Sequence, residues 1–352
     1  KVSFVRWGNG TEWWVGEVAP TGTFICPKYL PLEYGRDRIP EGWAVRYIED
    51  ESETNYLTFT AEEDGSSFKL ICNSNSPNIQ YSLDDGESWI TFKDKDSVPL
   101  EHKGDKALIR GYNPEGFSKQ TGYTSFGMSG KIAASGSVMS LIDGKGITTV
   151  IPNKNCFSEL FYKCESLIQA PELPATTLAN SCYCSMFSGC TGLTKAPELP
   201  ATKLEIDCYS CMFRGCTSLT QAPDLPATTI AEQCYEFMFY NCASLTKAPK
   251  LPATKLEERC YCKMFSGCTS LTEAPDMSAT TLALYCCQDM FEECISLTKA
   301  PKLPATTLVS YCYVGMFKGC TKLMKAPELP AVTSAHTDCY RFMFNGCSSL
   351  SE

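Results

Sequence analysis

Twenty of the 22 cysteines lie between Cys156 and Cys347, and they recur at a fixed interval. Cys164, Cys190, Cys216, Cys242, Cys268, Cys294 and Cys320 are 26 residues apart, and Cys347 follows after 27. A second column runs eight residues upstream: Cys156, Cys182, Cys208, Cys234, Cys260, Cys286, Cys312 and Cys339. Met-Phe sits between the columns, as in Met186-Phe187 and Met264-Phe265, and the single extra residue falls within Ala331–Asp338. Eight units are present, the first and last incomplete. A unit this short cannot bury an apolar face by itself, but stacked copies can, so the repeat predicts a solenoid.

Within one unit the buried-type residues are Leu178, Cys182, Tyr183, Met186, Phe187 and Cys190, at offsets 4, 5, 8, 9 and 12. That spacing predicts one face of an α-helix. Thr202–Glu205 and Thr254–Glu257 have the spacing of a capping box. Gly189, Gly215, Gly267, Gly319 and Gly346 stand where such a helix would stop, with Asn241 replacing glycine once; both residue types suit a left-handed terminal position. A short extended segment follows, Leu-Thr-Lys-Ala-Pro-Glu-Leu in one unit, in which proline forbids a long central strand.

The frame Met-Phe-x-Gly-Cys-Thr-Ser-Leu-Thr-x-Ala-Pro-x-Leu-Pro resembles the BspA-like, Treponema-type leucine-rich repeats of surface proteins from anaerobic, Bacteroides-like bacteria. It departs from that pattern in carrying Met where the family has alanine and in its longer unit. The resemblance covers residues 150–352. It implies an α/β leucine-rich-repeat solenoid, exported to the cell surface (with a lipid anchor as one route) or secreted, with an adhesin-like role.

The cysteines have three readings. On a helix, two cysteines eight apart are separated by roughly 12 Å, beyond the roughly 7 Å that a disulfide spans, although bridges between neighbouring units stay open. Zinc would need four converging thiolates, and Cys208/Cys211, Cys182/Cys184, Cys260/Cys262 and Cys286/Cys287 share no common spacing. The favoured reading is a ladder of free thiols packed as small hydrophobes, which an anaerobic habitat would tolerate. The irregular extras Cys184, Cys211, Cys262 and Cys287 are expected to be exposed.

The first 150 residues are built differently, for all five tryptophans, Trp7, Trp13, Trp14, Trp43 and Trp89, lie there. Residues 53–143 predict an Ig-like β-sandwich from strands at Tyr56–Thr60, Phe68–Ile71 and Ala107–Tyr112 with turn residues between them. Residues 1–52 predict a small β module with strands at Val2–Trp7, Trp13–Val18 and Trp43–Ile48, and Glu49–Thr54 reads as an acidic linker. Residues 144–352 complete the three-part division. Ser82-x-Asp84-x-Gly86-x-x-Trp89 resembles the Asp box of sialidases and other β-propellers, where it is a structural hairpin; one copy predicts a hairpin here and no hydrolase.

A formal net charge of −9 excludes a nucleic-acid binder that neutralises phosphates with a basic stripe, and no apolar run is long enough to span a bilayer. His102 and His336 are the only histidines, each in a polar stretch, and no phosphate-binding loop, dinucleotide fingerprint or His-Glu-x-x-His is present. The expectation is therefore a non-enzymatic interaction protein with no cofactor and no metal. The residues flanking Ala-Pro are the candidate binding face: Lys195 and Glu198, Gln221 and Asp224, Lys247 and Lys250, Glu273 and Asp276, Lys299 and Lys302, continued by Gln169/Glu172 and Lys325/Glu328. They predict a patterned face for a protein or glycan ligand, set against charges that merely pair between units. The alternative is glycan binding by Trp13 and Trp14 in the N-terminal β region, with the repeats as a stalk.

Overall fold

The computed structural model describes residues 23–27, 39–40, 42–48, 54–72, 77–118, 122–329 and 336–351. The chain divides into two compact units, residues 1–54 and 55–352. In the first, β1 (Thr23–Pro27) pairs in parallel with β2 (Ala44–Ile48), from Thr23 opposite Ala44 to Pro27 opposite Ile48. The strands predicted at Val2–Trp7 and Trp13–Val18 lie outside the described residues, as do Trp13 and Trp14 themselves.

The second unit opens with two facing sheets. Strands β3 (Leu57–Ala61), β4 (Ser66–Cys72), β5 (Ile79–Ser82), β6 (Ile90–Thr91), β7 (Ser97–Leu100), β8 (Lys106–Gly111), β9 (Thr124–Ser129) and β10 (Ile132–Ser135) precede one helical turn, α1 (Ser140–Asp143), and β11 (Leu167–Gln169). One sheet runs β11-β10-β3-β8-β5-β6 and the other β7-β4-β9. Alternation along β3 and β8 sends Leu57, Phe59, Ala61, Ala107 and Ile109 inward. Phe59 of the first sheet meets Phe68 and Phe126 of the second edge-to-face, each at 5.0 Å.

The sandwich also starts the repeat stack. Strand β11 belongs to the first repeat, yet it pairs in parallel with β10. Phe126 of β9 stacks on Phe161 at 5.7 Å, and its carbonyl accepts the Cys164 thiol at 3.0 Å. A sandwich residue thus takes the position that the preceding repeat's phenylalanine occupies everywhere downstream.

The predicted helix does not form. Residues 181–190 are a spiral of turns in which alternate backbone N–H groups go in different directions. Those of Cys184, Met186, Ser188 and Cys190 bond three residues back, to Ser181, Tyr183, Ser185 and Phe187. Those of Tyr183, Ser185, Phe187 and Gly189 cross to the next coil, to Cys208, Ser210, Met212 and Arg214. The backbone turns left-handed at every fourth residue, Ser181, Ser185 and Gly189, and the pattern recurs at Asp207, Cys211 and Gly215.

The reason lies in the period. The inward residues Cys182, Met186 and Cys190 recur every four residues, as do Tyr183 and Phe187. At about 100° per residue an α-helix would rotate such a row by about 40° at each step, whereas a four-residue spiral keeps it on one face. The threonines read as helix caps start no helix. The glycines and Asn241 do adopt left-handed φ, from 59° to 79°, but as recurring turn positions and not as helix ends.

Stacking produces continuous internal files. Phe161, Phe187, Phe213, Phe239, Phe265, Phe291, Phe317 and Phe344 lie face to face at centroid spacings of 5.4–5.7 Å. A parallel file runs Phe157, Tyr183, Tyr209, Tyr235 and Tyr261, is interrupted at Cys287, and resumes with Tyr313 on Tyr340. All 21 cysteines with described side chains are free thiols. From Cys190 onward each member of the downstream column donates to a carbonyl of the coil before it, as Cys190 does to Phe161 and Cys268 to Phe239. Cys184 and Cys211 are half-buried, but Cys262 and Cys287, expected at the surface, are 4% and 0% exposed. Cys287 fills a tyrosine position, and tyrosine positions face inward.

Candidate surface groove

Each coil continues from its turn spiral into the Ala-Pro-x-Leu-Pro segment, and this positions the candidate face. Ala196 and Leu199 point into the core, while Lys195, Glu198 and Pro200 are exposed. Neighbouring coils make single parallel bridges at Lys195↔Gln221, Gln221↔Lys247 and Glu273↔Lys299. The strand expected over Leu-Thr-Lys-Ala-Pro-Glu-Leu is reduced to these bridges, because each proline lacks the N–H that would carry the ladder onward.

Where the ladder stops, a groove crosses the coils. One section, about 690 Å³, is lined by Gln169, Ala170, Pro171, Glu172, Lys195 and Glu198 among others. The next, about 630 Å³, shares Lys195–Glu198 and runs on past Gln221, Asp224, Lys247 and Lys250. The floor is alanine and proline, and no aromatic side chain lines either section.

All fourteen residues read from the sequence as the binding face are exposed. The structure brings Gln169, Glu172, Lys195, Glu198, Gln221, Asp224, Lys247 and Lys250 into the groove, while Glu273, Asp276, Lys299, Lys302, Lys325 and Glu328 belong to later coils outside these sections. Glu172 accepts a hydrogen bond from Asn55 Nδ2 at 2.6 Å, and Gln169 donates to the Ala134 carbonyl. Among the described residues, Lys195, Glu198, Asp224, Lys247 and Lys250 form no ion pair within 4.0 Å. Cross-coil pairing of these charges, the competing expectation, does not occur among them.

The sequence did not single out a second cluster, on the outer side of the turn spiral. Arg214 lies over the rings of Phe237 and Tyr240, and Arg259 lies over Tyr285, which stacks on Tyr311 at 4.9 Å. Beside them Lys263 pairs with Asp289 and Glu292, and Lys318 with Glu292 at 2.7 Å. Burial pushes the Glu292 carboxyl up, but the two lysines outweigh it and its pKa is lowered; burial and the Glu292 charge raise that of Asp289. The available signal was variation: positions 188, 214, 240, 266, 292 and 318 read Ser, Arg, Tyr, Ser, Glu and Lys while the inward columns hardly change.

The Ser82–Trp89 motif is a hairpin held from within. Ser82 and Ser88 hydroxyls and the Ser88 N–H donate to Asp84, whose pKa falls to about 2. Trp89 Nε1 donates to the Gly86 carbonyl, and Arg110 lies 3.8 Å over the Trp89 ring. His102 and His336 are both exposed. Among the described residues no group of three or more His, Cys, Asp or Glu side chains is placed to hold a metal ion, and no helix is long and apolar enough to cross a membrane.

No family model, curated protein or solved structure matches the chain.

Proposed function

We propose that this chain is a non-enzymatic, cell-surface interaction protein that binds protein ligands, in the manner of an adhesin, on a leucine-rich-repeat solenoid led by an Ig-like sandwich. The groove across the Ala-Pro-x-Leu-Pro segments carries this reading: it crosses several coils, has an apolar floor, and presents charges that form no ion pair among the described residues. Glycans are the weaker fit there. Sugar rings are held by flat aromatic faces, and the groove has none. The resemblance of the repeats to BspA-like surface proteins supports export and display.

The alternative, sugar binding through Trp13 and Trp14 with the repeats as a stalk, rests on the Trp-rich N-terminal sequence. Probing the full chain on protein and glycan arrays separates the two. Binding to proteins that weakens with added salt is the expected result. Binding to glycans alone would transfer the function to the tryptophans.

A further inference from the structure

The groove is electrically two-sided. One wall carries Gln169, Lys195, Gln221 and Lys247, and the other carries Glu172, Glu198 and Asp224 before Lys250 ends the acidic run. Lys195 and Glu198 are three residues apart on extended backbone, so the walls stand roughly 10 Å apart. An α-helix, about 10–12 Å across with its side chains, would ride on the rims. A single extended strand would lie on the floor of Ala196, Pro197, Ala222 and Pro223.

Coils follow one another at about 4.8 Å, as paired strands do. The four coils from Gln169 to Lys247 therefore cover roughly 14 Å, the reach of about four extended residues. Side chains of an extended segment alternate between its two sides and recur on one side at about 6.8 Å. Long basic side chains at that spacing can reach Glu198 and Asp224 together, and intervening carboxylates then face Lys195 and Lys247. Because these four wall charges make no ion pairs among the described residues, docking would break none there.

Building on the protein-binding role above, we infer that the groove takes an extended polypeptide running along the stack, with basic and acidic side chains alternating, the basic ones against Glu198 and Asp224. Nucleic acid and other polyanions fit poorly, since the acidic wall repels them. A purely basic peptide meets Lys195 and Lys247.

The test uses the full chain and four labelled octapeptides, followed by fluorescence anisotropy at roughly 0.02 and 0.5 M salt. The peptides are alternating Lys-Glu, a block isomer with all its lysines before all its glutamates, all-Lys and all-Glu. The alternating peptide should bind about tenfold more tightly than its block isomer, and the higher salt should weaken it. Binding should fall about tenfold in Glu198→Gln/Asp224→Gln and further in Glu198→Lys/Asp224→Lys, with circular dichroism confirming that both variants fold. Equal binding of the two isomers, no binding of any peptide, or indifference to the double substitutions would overturn the inference. Protein ligands found on the array would still stand in that event, whereas glycan-only binding would remove the parent reading itself.

Discussion

The Cys242 thiol donates to the carbonyl oxygen of Phe213, 29 residues earlier, at 3.0 Å. That carbonyl already accepts the N–H of Cys216, so one oxygen is shared between its own coil and the next. The relationship recurs from Cys164 on Phe126 to Cys347 on Phe317. It explains why a residue both small and able to donate is kept in the column: alanine would fill less space and offer no hydrogen. Cys242→Ala should cost about 1–2 kcal/mol by urea denaturation. An unchanged midpoint would mean that the thiol serves only as filler.

Phe213 is fully buried between Phe187 and Phe239, each at 5.6 Å. Phe213→Ala should cost about 3–5 kcal/mol, the usual range for a buried aromatic. Chemical denaturation measures it, and a loss under about 1 kcal/mol would contradict the stacked file.

Alkali should unfold the chain steeply. Burial pushes the thiols of Cys156, Cys164, Cys234 and Cys242 up to about 12, whereas an unfolded thiol ionises near 8.5. Above that value the unfolded chain loses protons first, so stability is complete below about pH 8.5 and is lost as pH rises toward 12. Circular dichroism followed through this range should show a cooperative loss. A signal still flat as the pH approaches about 12 would mean that these thiols are not buried as described.

Asp84 shows the opposite sign. Its carboxyl is held down to about 2 by Ser82 and Ser88, so its contribution is present above the unfolded value near 3.9 and disappears as pH falls toward 2. Ser82→Ala/Ser88→Ala should raise the Asp84 pKa toward that unfolded value, as read by NMR titration. A pKa that stayed put would assign the shift to other groups.

Gly267, at φ +77°, leaves room for Asn241 of the preceding coil, whose Oδ1 a Cβ would strike. Gly215, at φ +73°, has only Gly189 nearby, at 3.9 Å. Gly215→Ala should therefore cost about 1 kcal/mol, the left-handed penalty alone, and Gly267→Ala distinctly more. Asn241→Gly in the same chain should recover the excess. Equal losses at the two positions would rule out the clash.

Much of this architecture was legible in the sequence. Cysteine spacing gave the unit length, and Met186, Phe187 and Cys190 were readable as inward. The local backbone was not, because over twelve residues offsets of 4, 5, 8, 9 and 12 satisfy a period of 3.6 nearly as well as one of four. Longer runs would have exposed the drift, but each unit ends first. The groove positions could be read because proline marks where pairing must stop. The Arg214–Phe237–Tyr240 cluster was not read: Arg214 and Tyr240 share one column, 26 residues apart, but that column changes residue type along the array, so no motif recurs there. Cys287 misled because it lies outside the two regular cysteine columns and so was expected at the surface, whereas it belongs to the inward tyrosine column.

The split between turn bonds and cross-coil bonds has a consequence for how such an array can change length. Excising residues 209–234 would join Cys208 to Tyr235, a junction chemically the same as Cys208 to Tyr209. Every donor would find its usual acceptor, and each ring a neighbour of its own kind. Unequal recombination can therefore shorten or lengthen the array by whole units while leaving each joint intact, and the reach of the protein can vary independently of its folding.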